Sequence, residues 1–234
     1  MKHQIIVPAI EVITMNNYRV VERFVSINGE GQFAGMLSVF IRFACCNLRC
    51  SYCDTMYANE SSASYEWLSE EEIVTYIKKQ QVERVTLTGG EPLIQNQIHA
   101  LIQRLLSEGF LVEIETNGSV DLKPFSSPLR PYFTLDYKLP ASDMESHMNL
   151  ENYEIITKQD VVKFVISNQS DLEKAHKIVK QFDLIEKTQV YFSSVFSQIS
   201  PSEIVDYMSR HHLNGIHFQL QMHKFIWPPE QRGV

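Results

Sequence analysis

Between Ser38 and Gln221 the chain alternates short apolar runs with capped amphipathic ones, and this rhythm constrains the fold more than any other feature. SVFIRF (38–43), VERVTLT (82–88), LVEIET (111–116), YFTLDYK (132–138), VVKFVIS (161–167), QVYFSS (189–194) and GIHFQLQ (215–221) read as strands, being rich in β-branched and aromatic residues. Helix signals lie between them. Ser69 and Glu72 form a capping box ahead of Ile73, Val74 and Ile77. A second helix closes at Gly109, a third is expected from Ser170 with Glu173, and Ser200, Pro201 and Glu203 open a fourth. Strand followed by helix, repeated, makes a parallel sheet covered by helices. One domain suffices for 234 residues, because α/β barrels commonly run to about 200–250.

The punctuation falls just after strands, where such sheets build their sites. Gly89-Gly90-Glu91 follows one strand, Asn117-Gly118 another, and four cysteines follow Phe43. Those four, Cys45, Cys46, Cys50 and Cys53, are all the cysteines of the chain. Cys46, Cys50 and Cys53 can turn inward around one centre. A tetrahedral zinc site asks for four ligands, and no further His or Cys stands close enough in sequence to be an obvious fourth. A [4Fe–4S] cluster is ordinarily held by four cysteines, so three would leave one iron open to a small molecule.

The net charge of -7 argues against a broad nucleic-acid or anionic-lipid surface, which needs a basic face. The first residues, MKHQIIVPAIEVITMNNY, are broken by Pro8 and Glu11 and read as a flexible arm or leading strand, not a signal peptide. No run approaches the roughly 20 apolar residues of a membrane span. A soluble, cytoplasmic protein with reduced thiols is expected.

The spacing C-x-x-x-C-x-x-C resembles the signature of the radical S-adenosylmethionine (SAM) superfamily, and TGGEP (88–92) and ETNG (115–118) resemble two further motifs of it. The stretch SINGEGQFAGMLSVFIRFACCNLRCSYCDT and the tail QLQMHKFIWPPEQRGV resemble the 7-carboxy-7-deazaguanine synthase family, from about residue 20 to the end. The resemblance implies an α/β fold, a trimmed, partial TIM-like (β/α) barrel, in one domain. Residues 1–20 would be an arm, and 20–234 a core ending in a substrate-binding tail. It implies conversion of 6-carboxy-5,6,7,8-tetrahydropterin to 7-carboxy-7-deazaguanine with loss of ammonia, on the route to queuosine. The implied cofactors are a [4Fe–4S] cluster, SAM and Mg²⁺; the implied partners are an electron donor such as flavodoxin or ferredoxin and a second copy in a homodimer.

Carried over residue by residue, the resemblance assigns Cys46, Cys50 and Cys53 to the cluster and the Thr55 hydroxyl to Mg²⁺. Tyr52, Asp54, Gly90, Glu91, Glu115, Asn117, Asp136, Lys138 and Ser194 would contact SAM. Ile27, Asn28, Gly29, Glu30, Thr88 and His223 would contact the pterin, and Arg42 its carboxylate. No side chain is assigned as a catalytic acid or base. The chain departs from the family pattern at Cys45, where glycine is common, at Asn28 in place of glutamine, and at Asp136-Tyr137-Lys138 in place of Ser-Pro-Lys. The rival readings are another radical SAM enzyme, such as a glycyl-radical activase, and a zinc-binding protein without catalysis.

Overall fold

The computed structural model describes residues 17–126 and 129–234. Strand β1 (Asn17–Ile27) pairs antiparallel with β2 (Leu37–Phe43) and with the short β3 (Glu66–Ser69). From β2 onward the sheet is parallel, through β4 (Arg84–Gly89), β5 (Leu111–Thr116), β6 (Tyr132–Tyr137), β7 (Val161–Ile166), β8 (Gln189–Ser194) and β9 (Ile216–Phe218). The order across the sheet is β3-β1-β2-β4-β5-β6-β7-β8-β9, and its ends do not meet, so the barrel is open. Helix α1 (Met56–Asn59) closes the cysteine loop; α2 (Glu70–Lys79), α3 (Ile98–Ser107), α4 (Asn152–Ile155), α5 (Gln169–Gln181), α6 (Leu184–Lys187) and α7 (Pro201–Arg210) connect later strands; α8 (His223–Ile226) lies in the tail. Among the described residues no helix is long and apolar enough to cross a membrane.

The strands alternate with period two, and the two faces differ in kind. Toward the helices point Val85 and Leu87, Val112 and Ile114, Phe133 and Leu135, Val162 and Phe164, and Val190 and Phe192, all fully buried. They join Ile73, Leu101, Leu105, Leu172 and Ile204 in one apolar cluster, each such side chain contributing roughly 1.5–3 kcal/mol on burial. The other face carries Arg42, Thr88, Glu115, Thr134, Asp136 and Lys163, which line a cleft. Register sets Arg42 beside Thr88, Glu115 beside Thr134 and Asp136 beside Lys163. A closed TIM barrel fills its inside with layers of bulky apolar side chains. Here the inner face is polar and remains a cavity.

Four expectations change. Asn17–Ile27 is a strand, so only residues 1–16 of the expected arm lie outside the described residues. NESSASYEW (59–67) reads from its sequence as the most loop-like interior segment, yet it ends inside β3, which uses β1 as its template. The third helix is capped by Asn168, whose side chain accepts from the Asp171 N–H, and not by Ser170, which sits in its first turn. The last strand stops at Phe218, because Gln219 turns its side chain to the Gly31 backbone instead.

Candidate active site

The cysteine loop leaves the carboxyl end of β2 and is held by backbone. Cys45 donates its N–H to Ala58 O and accepts at its carbonyl from the Glu91 N–H, while Gly90 N–H reaches Phe43 O. Cys45 sits at φ 75°, in the left-handed region that favours glycine, which explains why glycine suits this position. A Cβ on Gly90 would stand 1.8 Å from the Cys45 carbonyl oxygen, so the glycine is what lets the two loops touch.

Cys46, Cys50 and Cys53 are reduced, half-buried and line one cleft of about 770 Å³. Donors converge on their sulfurs: Leu48 N–H lies 3.4 Å and Asn117 Nδ2 3.5 Å from Cys46 Sγ, and Asn59 Nδ2 3.6 Å from Cys53 Sγ. Burial raises the Cys46 thiol pKa and pushes Cys50 up to about 11, with Lys138 opposing it at Cys50. Metal binding would draw off these protons, and the converging donors suit thiolate sulfur. Among the described residues no group of three or more His, Cys, Asp or Glu is gathered to hold a single ion. A multi-iron cluster, whose ligands sit on different irons, fits these three thiols better than one zinc ion does.

Around the thiols stand most of the residues expected to meet SAM. Tyr52, Asp54, Thr55, Gly90, Glu115, Asn117, Asp136 and Lys138 all line the cleft. Asp136 Oδ2 pairs with Lys138 Nζ at 2.9 Å, whereas its buried Oδ1 has no hydrogen-bond partner among the described residues, an acceptor open to a ligand. Tyr52 OH donates to Val165 O, and burial raises its pKa. Thr55 Oγ1 lies 3.5 Å from Gly89 O and 3.7 Å from Cys53 Sγ.

Two residues expected at SAM stand outside this cleft. Glu91 is fully buried and does not face the cleft. Its carboxylate accepts from Leu93 N–H, Thr116 Oγ1 and, at 2.7 Å, Asn117 N–H, so it clamps the Gly-Gly-Glu turn onto the Asn-Gly turn. Burial pushes its pKa up to about 7, against those donors. Ser194 opens into a neighbouring pocket of about 400 Å³, shared with Phe196 and Phe225.

The opposite wall brings together Ile27, Gly29, Glu30, Arg42, Thr88 and His223, as expected. The tail docks on the turn at residues 29–31: Met222 N–H donates to Gly29 O, and the Gln219 amide both accepts from Gly31 N–H and donates to Gly31 O. His223 Nδ1 would lie 2.5 Å from a Cβ on Gly29. Burial lowers the His223 pKa, against the pull of Glu30 and Asp54. Thr88 Oγ1 donates to Glu115 Oε2 at 2.7 Å.

The Asn28 side chain, expected at the pterin, is engaged elsewhere. It is 1% exposed; its Nδ2 meets Glu113 Oε2 at 2.5 Å and its Oδ1 accepts from Thr86. Both ends of the amide are used inside the barrel, and the side chain does not line the cleft. Arg42 also has a partner within the chain: its Nε lies 3.1 Å from Glu22 Oε2, which Tyr57 OH also reaches.

The sequence reading missed Lys163, Glu113, Glu22, Tyr57 and Arg232, whose guanidinium stands 3.7 Å over the Tyr57 ring. For Lys163 and Glu113 the signal was there: a lysine amid VVKFVIS and two glutamates alternating in LVEIET mark a polar inner face. For Tyr57 and Arg232 no spacing rule brings them together.

An open parallel barrel with a three-cysteine loop at its carboxyl end defines a radical SAM protein, and the Radical SAM superfamily pattern matches residues 40–127. A 7-carboxy-7-deazaguanine synthase of Clostridium acetobutylicum is 54% identical over 93% of this chain and all of its own. One from Koribacter versatilis is 32% identical over 92% of this chain and all of its own. In fold, the crystal structure of QueE from Escherichia coli superposes with TM-score 0.73 at 20% identity, covering 92% of this chain and 100% of that one. The chain belongs to the 7-carboxy-7-deazaguanine synthase family.

Proposed function

We propose that this chain makes 7-carboxy-7-deazaguanine from 6-carboxy-5,6,7,8-tetrahydropterin, releasing ammonia. The observation that carries the reading is that one cleft has three thiols on one wall and the Gly29-Glu30-Gly31 turn, Arg42 and His223 on the other. When bound, the cluster and SAM supply the one-electron chemistry that starts the ring contraction. Cys46, Cys50 and Cys53 would hold the cluster. The free Asp136 oxygen and Asn117 would orient SAM, and Gly90 lets the chain lie close to it. Arg42, its Nε fixed by Glu22, has its two terminal nitrogens left for the substrate carboxylate, a planar fork against a planar anion. Glu30 accepts from the pterin edge, and the tail through His223 excludes water from that side.

Thr55 would offer one hydroxyl to Mg²⁺, the remaining ligands coming from water and the substrate carboxylate, as is usual for this hard cation. A cytoplasmic setting fits reduced thiols, and the chemistry requires a one-electron donor, a role a flavodoxin or ferredoxin would fill. A homodimer is proposed with the family, and Trp67 on the edge strand β3, 60% exposed, is a candidate contact for it. The test is anaerobic incubation of reconstituted protein with SAM, a strong reductant and the carboxytetrahydropterin, read by mass spectrometry. Appearance of the deazaguanine acid supports the reading. SAM cleavage with the pterin unchanged would overturn it.

A further inference from the structure

We infer that Lys163 fixes the substrate specificity of the cleft by holding Glu30 as an anion, acting as a positioning residue. The inference rests on the reading that Glu30 faces the pterin edge. Lys163 lies mid-strand in β7, whose six residues are all buried. Its Nζ is 3.1 Å from Glu30 Oε2 and 3.7 Å from Asp136 Oδ2. Glu30 Oε2 also accepts from Gln221 Nε2 at 3.2 Å, and its Oε1 from Ser193 Oγ at 3.3 Å. The turn, β7, β8 and the tail thus converge on one carboxylate that still lines the cleft.

The chemistry depends on whether that carboxylate is charged. A pterin presents a ring N–H and an exocyclic NH₂ side by side. An ionised carboxylate accepts both in parallel, whereas a protonated one gives up an acceptor and turns a donor toward a donor. The same interior shows what happens to a carboxyl that feels Lys163 only at a distance, with no ammonium hydrogen-bonded to it. Glu113 on β5 has only Asn28 and Thr134 as donors, and burial, then repulsion from Glu115, pushes it up to about 7. At Lys163 burial would lower the pKa, but Glu30, then Asp136 and Glu115, more than offset it, and the ammonium keeps its proton. The other titratable groups facing the pair cannot replace it. Asp136, Glu113 and Glu115 are carboxyls, His223 has a lowered pKa, and Lys138 is paired to Asp136.

The test is anaerobic calorimetry of wild type, Lys163→Met and Lys163→Arg with 6-carboxytetrahydropterin and with its analogue bearing an oxo group in place of the 2-amino group, from pH 6 to 8.5. Iron content checks the fold. Wild type should reject the analogue by about 100-fold or more, since a buried acceptor would face an acceptor. Lys163→Met should bind the pterin at least tenfold more weakly than wild type, since the ammonium 3.1 Å from Glu30 Oε2 is gone. Its discrimination should fall at least tenfold, and Lys163→Arg should restore both. A Lys163→Met protein that tracks wild type at every pH overturns the inference, as does an equal loss in both variants, which marks a scaffold role. If Lys163→Met fails to hold iron, Glu30→Gln carries the test: retained discrimination there overturns the inference. Wild type that binds no pterin overturns the functional reading, and this inference with it; the other failures leave that reading standing.

Discussion

The two walls of the cleft are built from different material. The cysteine wall is backbone against backbone: Gly90 on Cys45, Cys45 on Ala58, Glu91 reaching across to the Asn117 amide. The facing wall is built mainly by side chains, with Glu30 held by Lys163, Ser193 and Gln221, and the His223 ring seated on the Gly29 backbone. A wall of main chain depends on a few glycines and can serve a cofactor shared by many proteins. A wall of side chains reads one substrate, and it is where a family diverges.

If this contrast is right, the largest effect belongs to the thiols. Cys46→Ala, Cys50→Ala or Cys53→Ala should each abolish iron binding, seen as loss of brown colour and of iron by elemental analysis. Cys45→Gly should keep the iron, since glycine accepts the left-handed φ that cysteine tolerates there. Iron loss in Cys45→Gly would reassign the ligands. Next comes Gly90→Ala. The clash is with a carbonyl that cannot rotate away, so the loop must shift, at about 3 kcal/mol or more; cluster occupancy and thermal midpoint should fall together.

Glu113 separates stability from recognition. Its pKa rises from 4.5 to about 7 in the fold, so the folded chain holds a proton that the unfolded chain has released. This term is at its most favourable below about pH 4.5, and stability is lost as pH rises through 7, by about 3 kcal/mol in all. Glu113→Gln should flatten that slope in denaturant titrations at pH 5 and 7.5, the Asn28 amide turning over to meet the new side chain. An unchanged slope would show that Glu113 ionises freely. The smallest effect is Gly29→Ala. Its Cβ meets only an imidazole edge, which can give way. Pterin affinity should fall about tenfold, or about 1.4 kcal/mol, with iron content intact. Iron loss in this variant would mean that the two walls are not separable.

The same contrast explains what could be read from the sequence. The cysteine wall was legible because its parts are local: three cysteines within eight positions, Gly89-Gly90 and Asn117-Gly118, each directly after a strand. Strand limits were legible at 111–116 and 189–194, where turn signals bound the run. The facing wall was read only through resemblance. At Asn28 the resemblance could not show that Glu113, 85 positions away, occupies the side-chain amide. Lys163 was legible as a lone cation inside an apolar run but its partner Glu30, 133 positions away, was not, and β3 is a strand only because β1 lies beside it.

The docking of Gln219 on Gly31 joins positions 188 apart in the chain. As a loop it is far longer than the one that frames the cysteines. Its closure entropy exceeds that of the stretch between Cys45 and Glu91 by about 1 kcal/mol on a flexible-chain estimate, and contacts so distant form slowly. The contact that completes the substrate end of the cleft therefore spans most of the chain, whereas the one that frames the cysteine loop does not.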